Sequence, residues 1–249
     1  MWRAILLIIA MVAPSHAEEV VAGLSQNRVS ITTSFDGSEI LVFGAVKRDA
    51  PAPDNAPLQV IVTVAGPSEP VTVRRKDRRF GIWVNTEAAE VDAAPTFYAV
   101  ATSAPWEDVI SNVEDLRYEV SIPQAIRSVG LGVSEGDGFV EALIRIKTQQ
   151  DSYQLRIGDV EIVEDTLFRT SVRLPANLTE GDYIARFFLS RDGEVIDVLE
   201  QVIDVRKVGL ERFLFNLAHD QPLIYGLMSL AIAIFAGWAA SALFRFIRF

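Results

Sequence analysis

Hydrophobic and polar positions divide the chain into a long β-patterned body between two apolar segments. The longer segment, residues 222–244, carries no charged side chain and is followed by Arg245 and Arg248. A helix of about 20 apolar residues crosses the hydrocarbon core of a bilayer and satisfies its own backbone groups there. Short basic flanks mark the cytoplasmic side. The pattern therefore predicts one C-terminal transmembrane helix over 222–244 and a cytoplasmic tail over 245–249.

The shorter apolar segment lies near the N-terminus. Arg3 precedes an uncharged run over residues 4–13, and the small residues of the Ser-His-Ala sequence at 15–17 follow. This order is typical of a cleaved secretory signal, since about ten apolar residues are too few to cross a bilayer. We predict a signal peptide over residues 1–17 and export of the body. An uncleaved anchor is the alternative.

Residues 18–105 show short β-patterned runs between turn signals. The run Leu58–Ala65 is almost wholly apolar, as in a strand that is buried on both faces. The Asp36-Gly37 pair lies between two alternating runs and predicts a hairpin turn. Closely spaced strands without a long helix predict an immunoglobulin-like antiparallel β-sandwich, although the Cys-Trp-Cys hallmark of that class is missing.

Two further regions complete the body. Residues 106–150 form a predicted helical connector, in which Phe139, Leu143 and Ile146 share one face of a helix. Residues 151–207 alternate again around a turn at Ser190–Gly193, which predicts a smaller β-sandwich unit. The predicted fold class is mainly β: two immunoglobulin-like antiparallel β-sandwich units with a short helical connector, plus one C-terminal transmembrane helix.

Residues 208–221 join the body to the apolar segment. Apolar side chains recur at helical spacing here, at Leu210, Phe213, Leu214 and Leu217. This stripe predicts a juxtamembrane amphipathic helix over 208–221. The helix could lie at the lipid surface or pack back on the second β unit, and the pattern does not choose between them.

Charge and composition exclude several classes of function. Residues 18–220 contain 20 Lys and Arg against 33 Asp and Glu, a net charge of −13. This acidity argues against nucleic acid as a partner and against a body that lies flat on anionic lipid. The absence of Cys excludes thiol catalysis, Cys-based metal sites and lipoprotein anchoring, and beyond the signal the only His is His219. We therefore predict no enzymatic activity, no cofactor and no metal.

A cluster of cations interrupts the acidic body. Five cations lie within six residues: Arg74, Arg75, Lys76, Arg78 and Arg79. Their position between two predicted strands favours a solvated hairpin tip. The alternative is an anion or partner contact, because Arg forks bind carboxylate, sulfate-like and phosphate groups, and Trp83 and Asn85 lie close by. Trp83 considered alone is predicted to be a core residue.

The apolar segment has its own candidate contact surface. Small residues recur every four positions, at Ser229, Ala233, Gly237 and Ser241. Such a packing ridge lets helix backbones approach closely in lipid, where packing drives association. We consider partner binding or self-association through this ridge, with a plain anchor as the alternative.

Two motifs in the connector suggest chemistry that the rest of the chain does not support. Residues 132–136 fit G-x-S-x-G, but a nucleophile elbow needs an α/β sheet and a His base for Ser134. Glu135 and Asp137 supply two carboxylates, fewer than a calcium loop requires. We expect an ordinary Gly-rich loop here.

A resemblance follows from an ordered set of short motifs. These are Gly44 after LVF, Gly66-Pro67, the Arg74–Lys76 run, Gly81–Asn85, Pro95–Tyr98, the Gly181–Gly193 hairpin, and the end of the chain from Lys207-Val208-Gly209 to Gly237-Trp238. In this order the chain resembles the alphaproteobacterial putative transmembrane protein family. The resemblance implies a periplasmic body on the bacterial inner membrane with a cytoplasmic C-terminus, of unassigned activity and without catalytic residues. It also implies an association with a sulfite-exporter-type permease.

The leading hypothesis is an inner-membrane-anchored periplasmic binding or interaction module, an accessory subunit of an integral membrane partner such as a transporter. An envelope-assembly or chaperone-like protein that binds extended chains at a sheet edge is the first alternative. A hydrolase that depends on carboxylates or Ser134 is the second.

Overall fold

The computed structural model describes residues 18–32, 35–48, 56–128, 133–208, 214 and 217–247. The strands in these residues are β1 (Glu18–Leu24), β2 (Arg28–Ile31), β3 (Ser38–Arg48), β4 (Gln59–Ala65), β5 (Ser68–Arg79), β6 (Ile82–Pro95), β7 (Tyr98–Thr102), β8 (Tyr153–Arg156), β9 (Glu161–Val163), β10 (Leu167–Leu174), β11 (Gly181–Arg191) and β12 (Glu194–Lys207). The helices are α1 (Trp106–Val109), α2 (Asn112–Tyr118), α3 (Val133–Gln149) and α4 (Pro222–Ile247). The prediction of a mainly β chain with one C-terminal apolar helix is confirmed.

Three sheets contain these strands. A four-stranded sheet has the order β1-β3-β10-β9, and a six-stranded sheet has the order β2-β12-β11-β4-β7-β8. The long strands β5 and β6 form a separate two-stranded hairpin. Strands β7 and β8 are parallel. Strand β2 also runs parallel to β12, since Asp204 donates to the carbonyl of Asn27 and Val208 donates to that of Ile31. The remaining pairs are antiparallel.

The six-stranded sheet is packed on both of its faces. Inward side chains of the four-stranded sheet meet the six-stranded sheet, as where Phe168 packs on Phe187 with ring centroids 6.4 Å apart. The other face of the six-stranded sheet is covered by the connector helices and the base of the hairpin, with Phe139 and Val91 in one buried cluster. Strand β4 therefore has apolar neighbours on both faces, as its continuous apolar run predicts.

Side chains of the six-stranded sheet bond backbone groups along β1 and along the part of β10 that β9 leaves unpaired. The carboxylate of Asp197 accepts a hydrogen bond from the backbone N–H of Val20 at 2.7 Å, and the amide of Gln201 donates to the carbonyl of Ala22 at 2.6 Å. At the opposite edge Gln154 donates to the carbonyl of Arg173 at 2.9 Å, and Arg156 donates to that of Ser171. These four backbone groups of β1 and β10 are thereby satisfied without another strand.

Strand pairing differs from the division into one sandwich at 18–105 and a second at 151–207. Strand β3 pairs with β10, and β4 pairs with β11, so each large sheet combines strands of both predicted units. The physical reason is that alternating apolar strands fit many partners, so the pattern of a segment does not confine its strands to one sheet. Strand β4 in particular needs neighbours from the later segment on its β11 side.

The Asp-Gly hairpin predicted at residues 36–37 is wrong. Strands β2 and β3 on either side of it belong to different sheets, so the segment crosses between sheets. Gly37 has φ of +117°, and a Cβ there would meet the carbonyl of Leu174 at 2.8 Å. Glycine is required at this crossing because of backbone conformation and close approach together.

Two compact units are present. Of the described residues, one unit contains 18–29 and those between 36 and 205, and the other contains 30–32, 35 and those from 206 to 247. In the second unit, α4 is long and apolar enough over Pro222–Ala242 to cross a membrane, with a mean hydropathy of 1.9. It is the one such helix among the described residues. Of the predicted amphipathic helix over 208–221, Leu210 and Phe213 lie outside the described residues.

Candidate interaction site

The β5–β6 hairpin carries all seven of the predicted contact residues in the body. Beyond the buried pair Val73 and Ala89, the segment Arg74–Ala88 is exposed except for half-buried Val84. At a rise of about 3.3 Å per residue, the six residues from Arg74 to the end of β5 extend the hairpin by about 20 Å. The sequence pattern favoured a hairpin tip between two strands for the cations, whereas they lie within strand β5.

Cross-strand register divides the hairpin into two faces. Residues that pair directly across an antiparallel ladder point to the same side, and alternate residues point to opposite sides. The pairs Arg75–Glu87, Asp77–Val84 and Arg79–Ile82 define one face. The pairs Arg74–Ala88, Lys76–Asn85 and Arg78–Trp83 define the other, which we call the cationic face. The register shifts between Arg75 and Lys76, where Thr86 has no partner on β5. Because one residue is skipped, the pairs on either side of the shift keep the same two faces.

The first face neutralises its own cations. Arg75 Nη1 lies 2.8 Å from Glu87 Oε2, and Arg79 Nε lies 3.2 Å from Asp77 Oδ2. The Arg75 guanidinium also lies over the ring of Phe139 on α3, 5.1 Å from its centroid. Arg75 therefore fastens the hairpin to the body and is not available to a ligand.

The cations of the cationic face are not neutralised by carboxylates of the described residues. Within the described residues, Arg74, Lys76 and Arg78 make no ion pair with any carboxylate. Side chains two apart on a strand are about 7 Å apart, so the three cations form an evenly spaced row beside Trp83 and Asn85. The segment Arg74–Ala88 has five cations and two carboxylates, a net charge of +3 in a chain of −10.

The turn that ends the hairpin has an unusual residue. Phe80 and Gly81 form a two-residue loop with φ of +51° and +86°, which matches a type I′ turn. Gly81 fits this conformation without strain, whereas a bulky residue with positive φ is a rare outlier. The Phe80 ring is fully exposed, at 106% of its reference area.

The interpretation of Trp83 as a core residue is wrong. Its side chain is 69% exposed, and Ile82 beside it is 64% exposed. Both lie beyond the last buried pair of the hairpin, where the connector helices no longer cover the ribbon. With Phe80 they form an apolar tip on a cationic stem.

The transmembrane packing ridge lies on α4. Ser229, Ala233, Gly237 and Ser241 are all exposed along that helix. A Cβ added to Gly237 would meet no atom within 4 Å, so the ridge is open to a neighbouring helix. The structure places this ridge in the second compact unit and the hairpin in the first.

The connector motifs lie at the beginning of helix α3 and just before it. Gly132 lies outside the described residues, and the backbone at Ser134, Glu135 and Asp137 belongs to helix α3. The helix therefore begins inside the stretch that the sequence predicted to be a loop. Among the described residues, no group of three metal-ligating side chains lies close enough to hold a metal ion.

A second exposed surface was missed by the sequence reasoning. The outer face of the four-stranded sheet carries a row of apolar residues in register across all four strands, which we call the apolar row: Val21, Ala45, Leu167 and Val163. An open hollow of about 650 Å³ lies along it beside Phe43 and Gly23. The detectable signal was the run ILVFGAV in β3, which is apolar on both faces although only one face is buried.

Comparison with known proteins identifies the class. The family described as "Putative transmembrane protein (Alph_Pro_TM)" matches residues 19–246, and the chain belongs to this alphaproteobacterial family of transmembrane proteins. The match includes both the β-rich body and the candidate span. No curated protein matches the sequence.

Two solved structures show weak similarity. The sporulation control protein Spo0M from Bacillus subtilis is 10% identical with a TM-score of 0.29, over 82% of this chain and 55% of that one. The chain thus covers about half the length of Spo0M. The bacterial hydrophobin BslA is 11% identical with a TM-score of 0.22, over 79% of this chain and all of that one.

Proposed function

We propose that the protein is a non-enzymatic, inner-membrane-anchored periplasmic interaction module that serves as an accessory subunit of an integral membrane partner. The observation that carries this proposal is the ridge on α4, which is exposed and open to another helix. In lipid, small residues bring helix backbones together and so select a partner helix rather than acting as a plain anchor. A sulfite-exporter-type permease is the partner class that we propose.

The apolar row supports the same role from the body. Val21 and Leu167 are each more than half exposed on an otherwise acidic domain. Exposed apolar residues in contiguous register are characteristic of contact surfaces. The chaperone-like alternative has less support at β1 and β10, because side chains already bond two backbone groups on each of these strands.

We expect the ridge to determine co-purification of the partner. Replacing Ala233 and Gly237 together with Leu should reduce partner recovery about ten-fold, a loss of about 1.4 kcal/mol, because the larger side chains keep the two helix backbones apart. The matched control replaces Ala231 and Ala239 with Leu, which places the same bulk on the opposite helix face. Both pairs are compared by tagged pull-down from mildly solubilised membranes. Equal recovery from the two variants would contradict a role for the ridge.

We expect the C-terminus to be cytoplasmic and the body to be periplasmic. A reporter that fluoresces only in the cytoplasm, fused after Phe249, should be active. Alkaline phosphatase, which folds only after export, should be active when inserted between Glu164 and Asp165, in the exposed turn that joins β9 to β10. The opposite pattern of activities would remove the periplasmic placement and leave only the membrane anchor.

A further inference from the structure

We propose that the β5–β6 hairpin inserts its tip into the surface of an anionic phospholipid bilayer. Phe80, Ile82 and Trp83 would enter the boundary between headgroups and acyl chains. Arg74, Lys76 and Arg78 would bind lipid phosphates. This goes beyond a role in partner binding, because the contact requires lipid alone.

The first argument comes from the turn. The same fold contains a second two-residue turn of this type, Asp192-Gly193, with φ of +48° and +78°. Asp at the first position is one of the residues that this conformation prefers, and Phe80 is not. The chain thus accepts backbone strain and an exposed ring at the end of its most extended element. Strain retained at such a position indicates a function for the side chain.

The second argument comes from the chemistry of the tip. Trp has an apolar body and one N–H donor, and it concentrates at membrane interfaces for that reason. Trp83 is directly opposite Arg78 in the ladder, so an indole and a guanidinium share one face. The apolar side chains lie at the tip of the hairpin and the cations lie on its stem. A hairpin that enters a leaflet tip first would therefore place apolar side chains among acyl chains and cations at the level of the phosphates.

The third argument selects lipid over a protein partner. A stable protein interface buries about 1,200 Å² or more in total, and three apolar residues on a two-stranded ribbon offer much less. A bilayer is fluid, so a narrow hairpin tip can insert into it without a surface of complementary shape. The body is also tethered by the candidate span, which raises the concentration of the hairpin at the lipid surface.

The charge distribution limits the contact to the hairpin. The body carries net negative charge and is repelled by anionic headgroups. The hairpin reverses that sign locally, and its free cations lie on a single face. We therefore expect a point contact that positions the body above the leaflet, rather than adsorption of a whole face.

The test uses the full chain in nanodiscs of phosphatidylcholine, with or without phosphatidylglycerol. Because the chain contains no Cys, Val84→Cys provides a unique site near the tip for an environment-sensitive fluorophore. Lipids with a shallow spin label should quench it in the discs with phosphatidylglycerol. The same fluorophore at Ile196→Cys on β12 serves as the control and should remain unquenched.

Two sets of variants separate the tip from the stem. Phe80→Asn should abolish quenching while the midpoint of thermal unfolding stays constant or rises, since Asn suits the first position of this turn. Replacing Arg74, Lys76 and Arg78 together with Gln should lower the ratio of inserted to free hairpin about a hundred-fold, at about five-fold per cation. Replacing Arg28, Lys47 and Arg169 with Gln changes the net charge equally elsewhere and should leave quenching intact.

Each other outcome overturns the proposal. Quenching that survives Phe80→Asn, or falls equally in both triple variants, would mean that the tip or its cations are not the contact. Displacement by inorganic phosphate beyond that caused by sodium chloride of equal ionic strength would indicate a free phosphate site. Absence of quenching in both lipid mixtures, together with crosslinking of the tip to a protein in native membranes, would assign the hairpin to a protein partner.

Discussion

Glu18→Gln is expected to lower the free energy of unfolding by about 3–5 kcal/mol, because it breaks a buried ion cluster by removing the carboxylate that both arginines bind. Glu18 Oε1 lies 2.6 Å from Arg48 Nε and 2.7 Å from Arg191 Nη2, and Oε2 accepts a third hydrogen bond at 3.0 Å. The side chains of Glu18, Arg48 and Arg191 are 6%, 15% and 11% exposed. The cluster connects β1 and β3 of one sheet to β11 of the other.

The same cluster predicts a pH dependence. The hydrogen bond from Arg191 is the largest influence on Glu18 and lowers its pKa below the ordinary value of 4.5, against the opposing effect of burial. A carboxyl with a depressed pKa in the folded state stabilises the fold fully above its unfolded value. That contribution is lost as pH falls through the lowered value. The difference between wild type and Glu18→Gln should therefore be constant near neutrality and shrink below about pH 4.5.

Glu19→Gln is the matched control for this prediction. Glu19 follows Glu18 in β1 but pairs with Lys47 on the surface, where both side chains are 63% exposed. Exposed pairs of this kind contribute about 0–1 kcal/mol. Chemical unfolding of the full chain in detergent, monitored by near-UV circular dichroism, compares the two variants. Equal losses would show that the Glu18 cluster is no stronger than a surface pair.

Local sequence patterns predicted secondary structure correctly where residues that are neighbours in the sequence decide the conformation. The continuous apolar run of β4 and the Asp192-Gly193 turn both follow from rules that involve neighbours in sequence. Asp36-Gly37 obeys the same turn rule and yet joins two sheets. Its outcome depends on which strands β2 and β3 pair with. Strand β2 pairs with β12, and β3 lies between β1 and β10, so the two strands beside the turn do not pair with each other.

Sheet membership could not be predicted for the same reason. Strand β3 pairs with β10, and nothing in either sequence specifies the other, since alternating apolar residues fit many partners. Strand β1 was missed because EEVVAGL begins with two charges and contains a glycine. Its position is fixed by contacts made far along the chain, including the bond from Val20 to Asp197.

The candidate site was predictable in composition but not in arrangement. The cation run and the nearby Trp83 are visible in the sequence. The division between paired and free cations depends on the register and on the shift at Arg75–Lys76, which only the ladder shows. The exposure of Trp83 depends on where the connector helices stop covering the ribbon. A strand pattern alone cannot distinguish a covered strand from a projecting one.

Gly44→Val is expected to destabilise the body by about 3 kcal/mol through overpacking between the sheets. Gly44 is opposite Phe168 in the ladder between β3 and β10. A Cβ at this position would lie 2.6 Å from Phe168 Cε1 and 2.8 Å from the carbonyl oxygen of Val21. The Phe168 ring is 2% exposed and packs on Phe187, so it has no free space into which to move.

Two comparisons identify the cause of that loss. Ala45→Val adds the same branched side chain to the neighbouring residue of β3, which faces outward on the apolar row, and should leave the unfolding midpoint nearly unchanged. In the Gly44→Ala background, Phe168→Leu shortens the side chain that the new methyl group meets. The double variant should therefore lose less stability than the sum of the two single variants. Strict additivity in urea unfolding of the full chain would mean that the glycine is needed for its backbone rather than for the ring that lies against it.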